Sequence, residues 1–303
     1  PQKAGFSFGS IAPNEYVVQI LPKLLVSSDR VMNSFAKGFV QGRLRAKSWD
    51  WVSHIIINKW QDFEVNSLLL CLPFVKKAWD LADKHLKKES LYWENVDVNP
   101  YYEVKDPKTA IVKLINNKRA VAALNCLHTI FRKTKELDSK LAIKALLLPK
   151  PIDKVGQGQL DVYNIVEIIK ALQSSKTVNK EILIKIELSY LSLLNKYHKA
   201  SPITLENKLI EEPEFFCELI RYIYRSTKKK KDPTKKPTQR EKNLASTAYT
   251  ILDNWTTPPG IYSNIDNKKK PDLNKWIQTV RGISEKSGHI EVALLKIGEI
   301  LFH

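Results

Sequence analysis

Two lysine-rich stretches hold the residues whose chemistry is clearest from the sequence. The segment Lys228–Lys242 (KKKKDPTKKPTQREK) carries eight Lys or Arg residues against two acidic residues, and a second run spans Lys268–Lys270. The two stretches contribute +6 and +3, which is nine of the seventeen net positive charges of the chain. Such side chains can neutralise phosphate groups without reading a base sequence. The candidate polyanion-binding residues are Lys228, Lys229, Lys230, Lys231, Lys235, Lys236, Arg240, Lys242, Lys268, Lys269 and Lys270.

The first stretch is predicted to form a basic loop over residues 226–242. Its four consecutive lysines repel one another, and Pro233 and Pro237 have no backbone N–H to donate. Because the segment has no apolar side chain other than its prolines, little offsets the entropy lost on ordering it. We therefore expect a mobile surface loop with helix resuming around Arg240. Two solvated loops that bind nothing are the alternative to a polyanion site.

Residues that could hold a metal or act in catalysis are poorly placed for either. Cys126 and His128 are two positions apart, which puts them on different sides of a helix. Asp80, Asp83 and His85 do not share one helix face either. The chain contains neither a GxxxxGK[ST] nor a GxGxxG motif. We therefore expect no catalytic residue, no metal site and no cofactor, with Cys126 an inert thiol beside a surface imidazole.

The number and spacing of the cysteines and the hydropathy of the chain indicate the cellular compartment. The three cysteines, Cys71, Cys126 and Cys217, are far apart and each lies in an apolar run, which favours a reducing cytoplasm over a disulfide framework. No apolar run approaches the roughly 18 residues that a membrane span needs, so we expect no membrane partner. The chain lacks an initiator Met, which suggests a piece of a longer protein.

Aromatic residues are concentrated in the first third of the chain. Five of the seven tryptophans lie between Trp49 and Trp93. Aromatic side chains among basic residues can stack on unpaired nucleobases. Here they alternate with Ile, Leu and Val at helical spacing, which favours a core. The pattern predicts that Trp79 and Trp93 are buried.

Apolar residues recur at i, i+3, i+4 and i+7 along nearly the whole chain, which predicts helices. Asp106-Pro107 and Glu212-Pro213 place proline at the first helical position, where it is tolerated. The predicted helices are Asp29–Arg45, Trp49–Trp60, Glu64–Leu72, Phe74–Lys88, Lys118–Lys133, Ser139–Leu148, Asp161–Ser174, Lys180–Lys199, Pro213–Arg225, Glu241–Asn254, Leu273–Ser284 and Ile290–Phe302.

The predicted fold class is all-α, with stacked helical hairpins forming an irregular α-solenoid or a multi-helix bundle. No fixed repeat period persists along the chain. The glycine-containing connector Lys150–Gln159 (KPIDKVGQGQ) predicts a boundary. It separates an N-terminal helical sub-bundle over residues 1–149 from a C-terminal one over residues 160–303, which contains the basic loop.

Several helical segments together resemble a known class of protein. In the second half these are Leu209–Tyr224 (LIEEPEFFCELIRYIY), Leu244–Pro259 (LASTAYTILDNWTTPP) and Leu273–Arg281 (LNKWIQTVR). In the first half, two segments are of the same type, namely Leu91–Val96 (LYWENV) and Ala110–Leu127 (AIVKLINNKRAVAALNCL). They resemble the helical C-terminal regions of large bacterial P-loop ATPases and STAND-type defence proteins. The resemblance implies a sensing or scaffold module whose ATPase or effector part lies elsewhere, and it transfers no catalytic residue.

Three functions are compatible with these observations. The first is a non-catalytic binding or scaffold module of a larger bacterial protein that recognises a protein partner or trigger. The second is a module that binds nucleic acid without sequence specificity through the lysine-rich loops. The third is an enzyme whose site assembles from distant helices, for instance around His128 or His198.

Overall fold

The structure is a computed structural model that describes residues 1–56, 60–99, 107–148, 159–224, 237–255 and 272–302. Within these ranges the chain forms sixteen α-helices and two short 3-10 helices and has no strand. The prediction of an all-α fold is confirmed. None of the helices in the described ranges is both long and apolar enough to cross a membrane.

The chain divides into two compact units, Pro1–Ile165 and Val166–His303. The helices up to the division are α1 (Gln2–Ile11), α2 (Asn14–Leu25), α3 (Arg30–Ile56), α4 (Asp62–Leu70), α5 (Lys76–His85), α6 (Ser90–Asn95), α7 (Pro107–Asn116), α8 (Ala120–Thr134), α9 (Ser139–Leu146) and α10 (Gln159–Gln173), which crosses it. Those of the second unit are α11 (Lys180–Ser189), α12 (Ile203–Glu211), α13 (Pro213–Ile223), α14 (Gln239–Asn254), α15 (Leu273–Ser287) and α16 (Ile290–Phe302).

The two units meet inside α10, later than the boundary predicted at residues 149–160. Most of that connector lies outside the described residues. The first turns of α10 are held to α8 by Asn125, whose side-chain amide donates to Asp161 at 2.7 Å and accepts from Asn164 at 2.8 Å. These contacts place the start of α10 with the first unit.

Helix starts follow the local sequence. Proline is the first residue of α7 and α13, as predicted. The carboxylate of Asp272 accepts from the backbone N–H of Asn274 at 2.9 Å in the first turn of α15. Thr238 and Glu241 form a reciprocal capping box at the start of α14. These side chains satisfy backbone donors that have no partner within their own helix.

Helices α1 and α3 pack closely through glycines. Built on the backbone, a Cβ at Gly5 or Gly9 would lie 2.1 Å from the carbonyl oxygen of Phe35 or Phe39. A Cβ at Gly38 would lie 2.0 Å from the carbonyl oxygen of Gln2. Residue numbers rise together along both helices, so the two run parallel. Only glycine permits this approach, because any other side chain would overlap the facing backbone.

The tryptophan prediction is confirmed in an aromatic cluster of the first unit, formed by Phe74, Trp79, Tyr92 and Trp93. Trp79 and Trp93 are 2% and 0% exposed. Their ring centroids are 5.8 Å apart, and Phe74 lies 4.8 Å from Trp79. Phe63, by contrast, belongs to the same aromatic stretch but is 55% exposed, so the core interpretation is wrong at that position.

The second unit is organised around a buried carboxylate as well as an apolar core. Glu187 on α11 is 0% exposed. It accepts from the backbone N–H groups of Thr204 at 3.0 Å and Leu205 at 2.8 Å, in the first turn of α12, and from the side chain of Gln173 at 2.8 Å. A negative charge is favourable at a helix N-terminus because the first N–H groups point at it. Glu187 therefore fixes α12 against α11.

Three of the helix predictions differ from the structure. The helix predicted over Lys180–Lys199 ends at Ser189, and 3-10 turns follow. The helices predicted over Asp29–Arg45 and Trp49–Trp60 form one element, α3, which is broken at Ser48 (φ 61°, ψ −170°). The apolar periodicity also misses α1, α2, α6, α7 and α12, although the proline start of α7 was predicted. In α1 the close contact is made by glycines, which contribute nothing to such a pattern.

Candidate functional site

One concavity in the first unit is a cleft between α2 and α3 with a volume of about 350 Å³. We call it the α2–α3 cleft. Its apolar wall consists largely of valine, isoleucine and tryptophan side chains, and its polar groups come from both helices. The lining residues are Asn14, Val17, Val18, Lys47, Trp51, His54 and Ile55.

Ordinary helix geometry positions the cleft. On α2, Val17 is buried with Leu21 and places Asn14 and Val18 at the opening. On α3, the lining residues other than Lys47 come after Ser48. His54 and Ile55 lie three and four positions after Trp51, so the three side chains share one face of the helix. Ser48 adopts a backbone conformation that is nearly confined to glycine and is therefore strained. This break sets the direction of Lys47 relative to Trp51.

Buried Arg43 adjoins the cleft. Its side chain is 1% exposed and donates to the backbone carbonyl of Ala12 and to Oδ1 of Asn14. Both acceptors are neutral, and no ion pair joins Arg43 to a carboxylate in the described residues. Burial lowers the pKa of Arg43, because the charged guanidinium loses hydration there. A cation held by neutral acceptors alone gives this end of the cleft a positive potential.

The structure describes only part of the predicted polyanion site. Arg240 and Lys242 lie exposed in the first turns of α14. The other nine candidates are outside the described residues, as is most of the predicted basic loop; they are Lys228, Lys229, Lys230, Lys231, Lys235, Lys236, Lys268, Lys269 and Lys270.

An exposed tyrosine, Tyr222, lies near Arg240, one of the two candidate residues that the structure describes. Tyr222 on α13 is exposed and donates a hydrogen bond to Glu218. That bond raises the pKa of Tyr222, and the nearby charges of Arg221 and Arg240 partly oppose the shift. Tyr222 is thus within electrostatic reach of two arginines. Tyr222 is not among the predicted site residues, although its place between two arginines, Arg221 and Arg225, next to the lysine run is visible in the sequence.

The cysteine and histidine side chains that the sequence offers for catalysis are buried or hydrogen-bonded within the fold. Burial raises the pKa of Cys71 and Cys126 to about 12, which disfavours the reactive thiolate. His128 was predicted to lie at the surface, but it is buried with its ring edge-on to Tyr163, 5.6 Å between centroids. His289 is buried, with Nε2 3.1 Å from the carbonyl oxygen of Tyr224, and so joins α13 to the start of α16.

The acidic residues near Asp83 form ion pairs rather than a ligand set. Lys113 contacts Asp83 at 3.4 Å and also bonds Glu89. Burial and a hydrogen bond with Glu89 raise the pKa of Asp83, while Lys113 opposes the shift. Asp80 pairs with Lys76 at 2.7 Å. Across the described ranges, no three His, Cys, Asp or Glu side chains are grouped so that they could hold a metal ion.

Comparison with known proteins gives no relative. No family model, curated protein or solved structure matches this chain. The function therefore has to be argued from the residues themselves.

Proposed function

We propose that this chain is a non-catalytic helical binding or scaffold module of a larger bacterial protein, and that it recognises a protein partner or trigger. The observation that carries the proposal is a set of exposed apolar side chains near the N-terminus. Besides Val18, which lines the α2–α3 cleft, six large apolar side chains between the start of α1 and the start of α3 are exposed: Phe8, Ile11, Ile20, Val26, Val31 and Met32. We call them the N-terminal apolar residues. Exposed apolar side chains that lie together are typical of protein-binding surfaces, and the proposal assigns these six to one such surface.

The environment of the reactive groups also supports a binding role. The thiols of Cys71 and Cys126 are held protonated by burial, and His289 is engaged in structural hydrogen bonds. The bacterial context rests on the resemblance of the helical segments to bacterial ATPase and defence proteins. In that context recognition by this module would control an activity located elsewhere.

The test uses a photoreactive residue introduced at Ile11 or at Val31 of the full-length protein in the cells that make it. We expect one discrete cross-linked protein from both positions, because both would lie in the same interface. Ile11→Asp combined with Val31→Asp should then lower the measured affinity for that protein about 10-fold or more.

The matched control is Leu295 on α16, which is 66% exposed but lies in the other unit. Leu295→Asp should leave the affinity unchanged. The proposal fails if positions 11 and 31 give no specific product, or if Leu295→Asp weakens binding as much as the paired substitution.

A second candidate function is polyanion binding through the lysine-rich loops, and the exposed tyrosine beside Arg221 and Arg240 favours it. Tyrosine can stack on an unpaired base while neighbouring arginines contact phosphates. Charge reversal at Lys228–Lys231 should reduce binding of a fluorescent 20-nucleotide single strand about 10-fold or more. The wild-type affinity should also fall steeply between 50 and 200 mM salt.

Tyr222→Ala and Arg240→Glu test the part that the structure describes, with Lys77→Glu on α5 as the control. The first two substitutions should weaken binding and the third should not. Binding that is insensitive to salt, or equally weakened by Lys77→Glu, contradicts a specific polyanion surface.

A further inference from the structure

The α2–α3 cleft combines an apolar wall with polar groups that can donate hydrogen bonds. Val17 and Ile55 are buried, and Trp51 is 8% exposed. A volume of about 350 Å³ is near the lower end of the range for small-molecule sites. The cleft is therefore large enough for a compact organic molecule with about ten non-hydrogen atoms.

The hydrogen-bonding state of the polar lining is set by neighbouring residues. Oδ1 of Asn14 accepts from Arg43, which leaves the amide NH₂ of Asn14 as the group available to a ligand. Nδ1 of His54 lies 2.7 Å from the carbonyl oxygen of Asp50 and must donate to it, which leaves Nε2. The indole N–H of Trp51 is buried without a hydrogen-bond partner in the described residues.

The charge of the lining has one sign. Lys47 contributes an ammonium group, and none of the described lining residues is acidic. Arg43 adds a buried positive charge one side chain away, behind Asn14. The nearest acidic residues in sequence are Glu15 and Asp50, neither of which lines the cleft. Donors and cations grouped over an apolar wall complement an anion joined to an apolar group.

We propose that the α2–α3 cleft binds a carboxylate carried on a small apolar group. The carboxylate would accept from Lys47 and from the amide of Asn14, which both line the cleft. The apolar group would pack against Val17, Val18 and Ile55. The site is independent of the N-terminal apolar residues and of any protein partner that they bind.

The probe is phenylacetate, titrated into the ¹⁵N-labelled chain of 303 residues while the tryptophan indole N–H signals are followed. The signal of Trp51 is assigned by its loss in Trp51→Phe. Phenylacetate should shift this signal saturably, because its phenyl group would lie beside the Trp51 ring that lines the cleft. Phenylacetamide has the same shape without the charge, and it should bind about 10-fold more weakly or worse.

Substitutions separate the site from general charge effects. Lys47→Met should weaken phenylacetate binding about 10-fold, and Lys77→Met, an exposed lysine on α5, should leave it unchanged. The proposal is overturned if the Trp51 signal does not move with phenylacetate, indole-3-acetate or octanoate. It is also overturned if phenylacetamide binds equally well, or if Lys77→Met has the effect of Lys47→Met.

A free small acid and a protein C-terminus could both supply the carboxylate, and ligands of different length distinguish them. A free small acid predicts that phenylacetate binds more tightly than the peptide Ala-Ala-Ala-Phe. A protein C-terminus as the natural ligand predicts the reverse order, with both still dependent on Lys47. Because these measurements need no partner protein, their failure leaves the proposed protein-binding function untouched, and the converse also holds.

Discussion

Gly5→Ala and Gly38→Ala are each expected to destabilise the first unit by about 3 kcal/mol. The added methyl carbon would lie 2.1 Å from the carbonyl oxygen of Phe35 or 2.0 Å from that of Gln2. Both atoms belong to backbone within helices, so the conflict is relieved only if α1 and α3 move apart. Separation would also disturb the contact of Phe8 with Phe39, whose ring centroids are 5.8 Å apart.

Urea denaturation gives the change in stability, and hydrogen exchange shows where it occurs. Amide protection in α1 should fall first, since α1 packs mainly against α3. Gly282→Ala on α15 and Gly298→Ala on α16 are matched controls, because a Cβ at either position meets nothing within 4 Å. Alanine should stabilise these helices by about 0.5–1 kcal/mol. Wild-type stability of Gly5→Ala would mean that the helices are farther apart than described.

The sequence contained the signal for this helix pair, although hydrophobic periodicity did not reveal it. Gly5 and Gly9 are four residues apart, as are Gly38 and Gly42. This spacing places small residues in one row on each helix and permits close approach. A search for apolar repeats passes over such a row because glycine has no side chain to bury. Helix α1 was missed for that reason, while the strongly amphipathic α13 was predicted with a start at Pro213.

The α2–α3 cleft was harder to anticipate. Lys47, Trp51 and His54 are close in sequence, but Asn14 and Val17 come from another helix. Their meeting depends on how α2 packs and on the unusual backbone of Ser48. A serine gives no sequence signal for a conformation that glycine normally adopts. Arg43 is equally uninformative in the sequence, since most arginines are exposed and this one is buried.

The lysine-rich stretches show the opposite relation between sequence and structure. Their charge and proline content predict a basic loop, for which polyanion binding is one interpretation, but of the candidate binding residues only Arg240 and Lys242 lie in the described part. Helix α14 begins at Gln239, close to the predicted restart around Arg240, because Thr238 and Glu241 form the capping box there. A capping box is formed by residues that are close in sequence. A helix start of this kind can therefore be predicted without knowledge of the fold.

Trp93→Ala is expected to lower the free energy of unfolding by about 3–5 kcal/mol. Trp93 is 0% exposed, with Tyr92 5.3 Å away in an edge-on arrangement and Trp79 at 5.8 Å between ring centroids. Truncation removes this buried area and leaves a cavity that surrounding helices fill only in part. Phe63→Ala is the control, since Phe63 is 55% exposed and should change stability by less than about 1 kcal/mol.

Tyr92→Phe tests the polar side of the same cluster. The hydroxyl of Tyr92 and the indole N–H groups of Trp79 and Trp93 are buried without partners in the described residues. Removing a hydroxyl that has no partner should be neutral or slightly stabilising, whereas removing one that bonds a buried water should destabilise by about 1 kcal/mol. Urea denaturation measures both variants. If Trp93→Ala unfolds like the wild type but loses partner binding, the cluster is a recognition surface and not the core that joins α5 and α6.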